Sequence, residues 1–245
     1  MLNSPLEQFQ ILPIISLPLV DITNAFAICG LSIGCFFFLH TCLNIYGLSF
    51  IPKAWQSFVE SLYEAVSGLV LDTVGKEGQK YFPFLFSLFC FVLLSNLLGL
   101  VPYSFTTTSH LIQTMTLALM VFIGVNIICL SIHGFHMVSL FYPPGTSLGL
   151  AFLLVPIEIV SYLFRPISLA VRLFANMMAG HTLLKVIGGF AWAMMGGGTF
   201  LFLAHFLPLI ILVLLMGLEM GVAIIQAYVF TILSTIYLND AIKLH

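Results

Sequence analysis

The sequence predicts an all-α polytopic membrane protein: about five membrane helices plus one amphipathic interfacial helix, the last two membrane helices forming a long tilted hairpin. Of the 245 residues, 61% are hydrophobic and 7% are charged, whereas about 25% of a soluble domain is charged. The apolar runs are continuous rather than alternating, which favours helices over a membrane β-barrel. A formal net charge of −2 predicts no nucleic-acid partner. Residues 1–245 are therefore interpreted as a single membrane domain in contact with lipid.

The first half of the chain is predicted to hold three spans and the amphipathic helix. The spans cover residues 22–45, 81–101 and 111–133. Each is long enough to cross about 30 Å of hydrocarbon. Residues 53–75 place apolar side chains at helical spacing and acidic or amide side chains on other faces, which is typical of a helix lying in the interface. Gly75 is expected to end this helix, and residues 1–21, with three prolines, are expected to be irregular.

Two apolar segments of nearly 40 residues, 147–186 and 200–239, fill most of the second half. The first is expected to be broken at Pro156 and Pro166, and residues 188–199 are expected to form the turn between the two. A perpendicular helix needs only about 20 residues to cross the bilayer. These segments must therefore tilt, bend or run partly along the membrane, which predicts the long hairpin.

The first long segment carries charges that are costly in a bilayer, about 2.5–3.5 kcal/mol each at its centre on insertion scales. Glu158, Arg165 and Arg172 are each seven residues apart, so on a helix they share a face. Small residues flank the last of these at helical spacing: Ser168, Ala175 and Ala179. Such a stripe lets another helix approach closely, and Asn176 lies one turn on, where its amide can orient the guanidinium. Glu158 is interpreted as either a relay or an end-of-span carboxylate, and Arg165 as either a functional group or a snorkelling anchor.

The ionisable residues of the hairpin include a candidate proton-transfer pair. His181 lies about 180° round the helix from Arg172 and serves another surface. On the second segment, Glu219 and Gln226 are seven residues apart and share a face. Two glycines bracket the carboxylate and permit close packing: Gly217 and Gly221. In an antiparallel hairpin His181 and Glu219 are able to meet, either as a proton relay or as a static hydrogen-bonded pair.

No metal or cofactor is expected. His133 and His136, in a loop expected to end at Pro143, lack the third ligand that a metal site needs. The five cysteines fall in apolar runs without a C-x-x-C pair and are expected to be reduced. The P-loop and H-E-x-x-H motifs are absent, so we expect no catalysis by this chain alone. A self-contained channel or secondary transporter, which would show internal repeats, and an intramembrane metalloprotease are the alternatives.

The segments RPISLAVRLFANMMAGH and GLEMGVAIIQAYVFTILSTIYLNDAIKLH resemble subunit a of the F-type ATP synthase, a family also called ATPase subunit 6. The resemblance extends to PKAWQSFVESLYE and NLLGLVPYSFTTTSH and so covers essentially the whole chain. It implies a proton-translocating stator subunit, not catalytic alone, that offers two offset half-channels to the c-ring of small hairpin subunits. Each ring subunit carries a carboxylate, and subunit b and other stator subunits are the further partners implied.

The same resemblance implies roles for individual residues. Arg172 resembles the ring-facing arginine that separates the half-channels and drives carboxylate deprotonation, with Asn176 and Gln226 as polar residues beside it. The outer half-channel pair is matched by His181 and Glu219, and an acidic residue of the inner half-channel by Glu158. Many bacterial members have an acidic residue in the first position of that pair and histidine in the second. In this chain the two residue types exchange positions, which resembles the arrangement in mitochondrial members. The mitochondrial inner membrane is therefore expected, with the bacterial plasma membrane as the alternative. Ion choice lies mostly in the ring; we expect H⁺, with Na⁺ as the alternative.

Overall fold

The computed structural model describes residues 5–16, 21–46, 54–101, 104–134, 148–196 and 204–243. Within these ranges the chain forms six α-helices. They are α1 (Asn24–Tyr46), α2 (Ala54–Thr73), α3 (Phe82–Gly99), α4 (Leu111–His133), α5 (Leu148–Met195) and α6 (Phe206–Ile242). The predicted all-α class is confirmed. Residues 135–147, which include most of the loop expected before the hairpin, and residues 197–203, which include the last three residues of its expected turn, lie outside the described residues.

Four stretches of the described chain are long and apolar enough to cross a membrane. They are Lys76–Gly99, Leu111–His133, Phe152–Met195 and Phe206–Ile242. The first of them begins with a 3₁₀ turn, Lys76–Tyr81, that leads into α3. The described apolar part of α1, Asn24–Phe38, is shorter than a span, so the first predicted crossing stays a prediction. The chain is a multi-pass membrane protein.

The N-terminal segment is more regular than the sequence suggested. After a 3₁₀ turn at Pro5–Phe9, the strands β1 (Pro13–Ser16) and β2 (Asp21–Thr23) pair antiparallel. Proline is tolerated here because it is the first residue of its strand. The side chain of Asn24 links this hairpin to α1: its Oδ1 accepts from the Leu12 amide at 3.3 Å and its Nδ2 donates to the Gln10 carbonyl at 3.1 Å.

The amphipathic helix α2 ends where the sequence predicts. Its C-terminal half buries Val66, Leu69 and Val70, while Trp55 at its start is 74% exposed. Gly75 has φ of +84° and ψ of −158°, a conformation essentially confined to glycine because glycine has no Cβ.

Two expectations about the long hairpin are wrong. Helix α5 runs unbroken through Pro156 and Pro166, and it continues to Met195 through two thirds of the segment expected to turn. Membrane helices tolerate proline because neighbouring groups satisfy the freed carbonyls, and glycine is common in them, so neither is a dependable stop signal here. At 1.5 Å per residue, the 48 residues of α5 and the 37 of α6 span about 72 Å and 55 Å. Both far exceed the bilayer core, as the tilted hairpin requires.

The structure divides into two compact units. The first comprises Met1–Ile45, Cys90–His110 and Leu173–Tyr228, and the second Tyr46–Phe89, Leu111–Arg172 and Val229–His245. The helices α1, α3, α5 and α6 contribute residues to both. The first unit holds most of the buried polar side chains of the described chain, including Asn96, Thr106 and Glu219.

Candidate functional site

One face of α5 is uncovered and carries the candidate arginine. Leu169, Ala170, Leu173 and Met177, at helical spacing, are buried. The opposite face is exposed and consists of Ser168, Arg172, Ala175, Asn176 and Ala179. The guanidinium forms no hydrogen bond or ion pair with any described residue, and the small residues beside it are exposed as well.

Seven residues earlier on α5, a second arginine is satisfied within the second unit. Arg165 Nη1 donates to Asp240 Oδ2 at 2.9 Å, and its guanidinium lies 5.3 Å from the ring centroids of both Tyr162 and Tyr237. The Tyr162 hydroxyl in turn donates to Asn126 Oδ1 at 2.6 Å. This cluster joins α4, α5 and α6, and it makes Arg165 a paired residue, an arrangement that neither of its two interpretations included. Sequence reasoning missed Asp240, because its partner lies 75 residues away.

Within the first unit, α5 and α6 are in close contact at Gly180 and Glu219. The Glu219 side chain is 8% exposed, and both of its carboxyl oxygens are buried without a hydrogen-bond partner in the described chain. A Cβ at Gly180 would lie 2.9 Å from Cδ and 3.1 Å from Cγ of that side chain, and closer still to Oε1. The carboxyl group therefore occupies the space that the missing side chain of residue 180 leaves.

His181 is the residue after Gly180 on α5, but its side chain contacts a different residue. Its Nε2 lies 3.1 Å from Thr106 Oγ1, and no ion pair joins it to Glu219 among the described residues. The structure thus brings the predicted relay residues to one level of α5 and α6 without pairing them. The hydroxyl of Thr106 also donates to the Gly99 carbonyl at 3.4 Å.

The segment between α3 and α4 is the part of the site that sequence reasoning did not identify. Thr106, Thr107, Thr108 and Ser109 are all buried, although the segment reads as a polar loop. Ser109 Oγ donates to the Thr106 carbonyl at 2.6 Å, which closes a short 3₁₀ turn at Thr107–Ser109. The available signal was a run of four hydroxyl residues directly before a predicted span.

His110 ends this segment, outside the spans. Its ring stacks on Phe105 with centroids 5.0 Å apart, and burial lowers the pKa of His110 below its usual value.

The remaining predicted positions belong to different units. Gln226 is buried in the first unit, whereas Glu158 is half-buried in the second. Asn96 is 0% exposed and its Nδ2 donates to the Ala223 carbonyl at 3.3 Å, a contact that packs α3 against α6.

Two further expectations concern glycines and metals. A Cβ at Gly217 or Gly221 would meet no atom within 4 Å, so the expected close packing at these two glycines is not found in this chain; Gly180 provides it instead. Within the described parts of the chain, no three His, Cys, Asp or Glu side chains form a group that could hold a metal ion.

Comparison with known proteins identifies the family. The family model described as ATP synthase A chain matches residues 24–239. The ATP synthase subunit a of Pylaiella littoralis is 65% identical, over 100% of both chains. The proteins of that name from Paramagnetospirillum magneticum and Marchantia polymorpha are 48% and 46% identical over 99% of both chains. A helical multi-pass chain with an uncovered arginine and buried polar residues in its long hairpin thus belongs to the ATP synthase subunit a family, whose members are membrane components of the synthase complex and are not catalytic alone.

Proposed function

We propose that this chain is the proton-translocating stator subunit of an F-type ATP synthase, which gives the c-ring two offset half-channels separated by Arg172. One observation carries the proposal. Of two arginines seven residues apart on α5, Arg165 is paired with Asp240, whereas Arg172 is exposed among small residues. Because an unpaired charge is costly in a membrane, the second guanidinium needs a counter-charge from another chain.

A carboxylate on a passing ring subunit supplies that counter-charge. Arginine stays protonated under all working conditions, so Arg172 acts as a fixed charge and not as a relay. An opposite charge within about 4–6 Å lowers a carboxyl pKa by 1–3 units, which makes the ring carboxyl group release its proton as it passes. The same fixed charge opposes proton leakage between the half-channels. Asn176, one turn further along the exposed face, orients the guanidinium, and Gln226 on α6 is the second polar residue assigned beside it.

Titratable residues of the hairpin serve the two half-channels. Glu219 and His181, at one level of the first unit, carry protons from the outer side, and Glu158 on α5 releases them at the inner side. The membrane potential contributes about 2.3 kcal/mol per proton for each 100 mV. Two observations support this assignment. The Glu219 side chain is buried, and the chain belongs to a family of ATP synthase subunits.

The decisive experiment compares Arg172→Gln with the native protein in vesicles that contain the whole synthase. We expect loss of proton-driven ATP synthesis, with or without added passive proton leak. Arg165→Gln is the matched control, because it removes the same charge from the same helix at a paired position; we expect synthesis per assembled complex to be retained. Normal synthesis by Arg172→Gln would reduce that residue to a membrane anchor and refute the proposal. Replacing Na⁺ in the assay buffer tests the coupling ion, and we expect no effect.

The partners proposed are the c-ring, subunit b and other stator subunits. The exposed stripe on α5 is the surface assigned to the ring. For the compartment we propose the mitochondrial inner membrane, because identity to the Pylaiella littoralis relative, 65%, exceeds that to the Paramagnetospirillum magneticum relative, 48%. Fractionation of the source cells tests this, and recovery of the synthase from a bacterial plasma membrane would contradict it.

A further inference from the structure

The hydroxyl of Thr106 occupies a position from which it can hold the His181 ring. Thr106 is 4% exposed, and its Oγ1 lies 3.1 Å from His181 Nε2 and 3.4 Å from the Gly99 carbonyl oxygen. A threonine hydroxyl has one proton to donate and two lone pairs. The Gly99 carbonyl can only accept, so it takes the hydroxyl proton, and the oxygen is left to accept from a protonated Nε2.

We propose that Thr106 is a positioning residue that keeps the proton of His181 on Nε2, so that the transported proton is exchanged at Nδ1. Both the neutral Nε2–H tautomer and the imidazolium donate through Nε2. The contact therefore persists while His181 gains a proton at Nδ1 and passes it on, and the ring keeps its place through the cycle. This inference rests on the proposed role of His181 in the outer half-channel.

The backbone holds Thr106 in place. Ser109 Oγ donates to its carbonyl at 2.6 Å. Ser104 Oγ donates to the Leu98 carbonyl at 2.6 Å and lies 3.2 Å from the Gly99 carbonyl oxygen, which ties Ser104 to the end of α3. A Cβ at Gly99 would lie 2.6 Å from Thr106 Cγ2, so only glycine allows the threonine to sit this close to the end of α3. A residue confined on both sides is suited to orient a ring.

The test is the dependence of ATP synthesis on outer pH. Thr106→Val replaces the hydroxyl with a methyl group of similar size. An oxygen acceptor stabilises imidazolium more than imidazole, so without it His181 is harder to protonate. We expect the profile to move to lower outer pH by about one unit, and Thr106→Ser, which keeps the hydroxyl, to retain the native profile. Thr108→Val is the matched control, because Thr108 is equally buried but its Oγ1 has no hydrogen-bond partner in the described chain; we expect no shift.

Other titratable groups belong to the elements near His181, and their contributions must be separated. They are Glu219 on α6, His110 beside the 3₁₀ turn, and Lys185 one turn further along α5; the part of α3 in this unit, Cys90–Gly99, brings no charged side chain. Two of these groups, His110 and Lys185, lie outside the proposed relay, so their variants leave a pH profile to measure. In the double variants Thr106→Val/His110→Gln and Thr106→Val/Lys185→Gln the acid shift must persist if it acts through the imidazole of His181. Loss of the shift in either double variant would assign it to the group removed and overturn the inference.

The outcomes also separate this inference from the proposed function. Unaltered synthesis by His181→Gln would refute the relay role itself. Loss of synthesis by His181→Gln, with a native pH profile for Thr106→Val, would refute only the positioning role. If Thr106→Val does not assemble, Gly99→Ala provides a second variant: it displaces the threonine without removing its hydroxyl. We expect the same acid shift, partly reversed by adding Thr106→Ser, which removes the methyl group nearest to the new Cβ. A native profile for Gly99→Ala would overturn the inference.

Discussion

Gly180→Ala is the sharpest structural test of the contact between α5 and α6. The added Cβ would lie 2.9 Å from Glu219 Cδ and 3.1 Å from its Cγ. Carbon atoms in contact prefer separations of about 3.5–4.0 Å, so the carboxyl group has to retreat by roughly 0.5–1 Å. The atoms that must move belong to the end of a flexible side chain. We therefore expect the helix pair to survive and the carboxylate to be displaced.

The expected magnitudes separate folding from function. Overpacking lowers the free energy of unfolding by about 1–3 kcal/mol. Because the Glu219 side chain can rotate away, we expect the cost of Gly180→Ala to lie near the lower limit. A misplacement of about 1 Å can reduce a reaction that depends on aligned groups by about 100-fold. We expect normal assembly of the synthase, a modest fall in melting temperature, and proton-driven ATP synthesis reduced about 10- to 100-fold.

Gly188→Ala is the matched control for this experiment. It lies two turns further along α5 and also faces α6, but its Cβ would meet Leu212 Cδ1 at 3.4 Å, which is an ordinary van der Waals contact. Both variants are measured for ATP synthesis in vesicles and for the amount of intact complex. Equal synthesis by the two variants would show that the place of the Glu219 carboxyl group does not matter. Failure of Gly180→Ala to assemble would show that the contact serves packing alone.

Three further predictions concern the second unit and His110. Arg165→Ala or Asp240→Ala should lower the free energy of unfolding by about 1 kcal/mol, since the pair is a third or more exposed, and a charge-exchanged double variant should recover part of it in thermal melts. Tyr162→Phe should cost about 1 kcal/mol through loss of its hydrogen bond to Asn126, measured in the same melts. Because burial lowers the pKa of His110 in the folded chain, the folded state binds fewer protons than the unfolded state, and stability should fall as pH drops through about 6.5. His110→Gln should reduce this fall between pH 7.5 and 5.5.

Each of these has a contradicting result. No recovery in the charge-exchanged variant would mean that Arg165 and Asp240 contribute separately. Costs of Tyr162→Phe and Asn126→Ala that simply add would mean that the two side chains are not coupled. An unchanged acid sensitivity in His110→Gln would assign it to other titrating groups.

The sequence predicted the features that depend on composition and helical period. The long apolar runs predicted a polytopic all-α membrane protein, and the 3.6-residue period predicted that Arg172 shares a face with Ser168, Ala175 and Ala179. Sequence signals for the ends of helices were less dependable. Glycine and proline end helices in water, where a freed carbonyl is solvated, but in a membrane the chain gains by continuing to hydrogen-bond itself, and so α5 passes Pro156 and Pro166 and reaches Met195.

Contacts between residues far apart in the chain could not be predicted from the sequence. Thr106 and His181 are 75 residues apart, and nothing local distinguishes Thr106 from its two neighbouring threonines. Gly217 and Gly221 adjoin Glu219 in the chain and looked like its packing partners, yet the contact is made by Gly180 across the helix pair. Which small residue is opposite which side chain depends on the axial offset of the two helices, and the offset is set by many weak contacts together.

The distribution of paired and unpaired charged side chains separates structure from function on the long helices α5 and α6. In water an arginine without a partner means little, because solvent hydrates it. In a membrane an arginine without a partner is energetically costly. Arg165 shows that this chain pairs an arginine where the residue serves only stability. Arg172, on the same helix, is left exposed beside residues small enough for a second helix to approach. The buried Glu219 carboxyl group, without a hydrogen-bond partner in the described chain, follows the same logic. Groups whose partners arrive only during turnover must stay unsatisfied in the chain alone, and these are the groups on which the proposed mechanism depends.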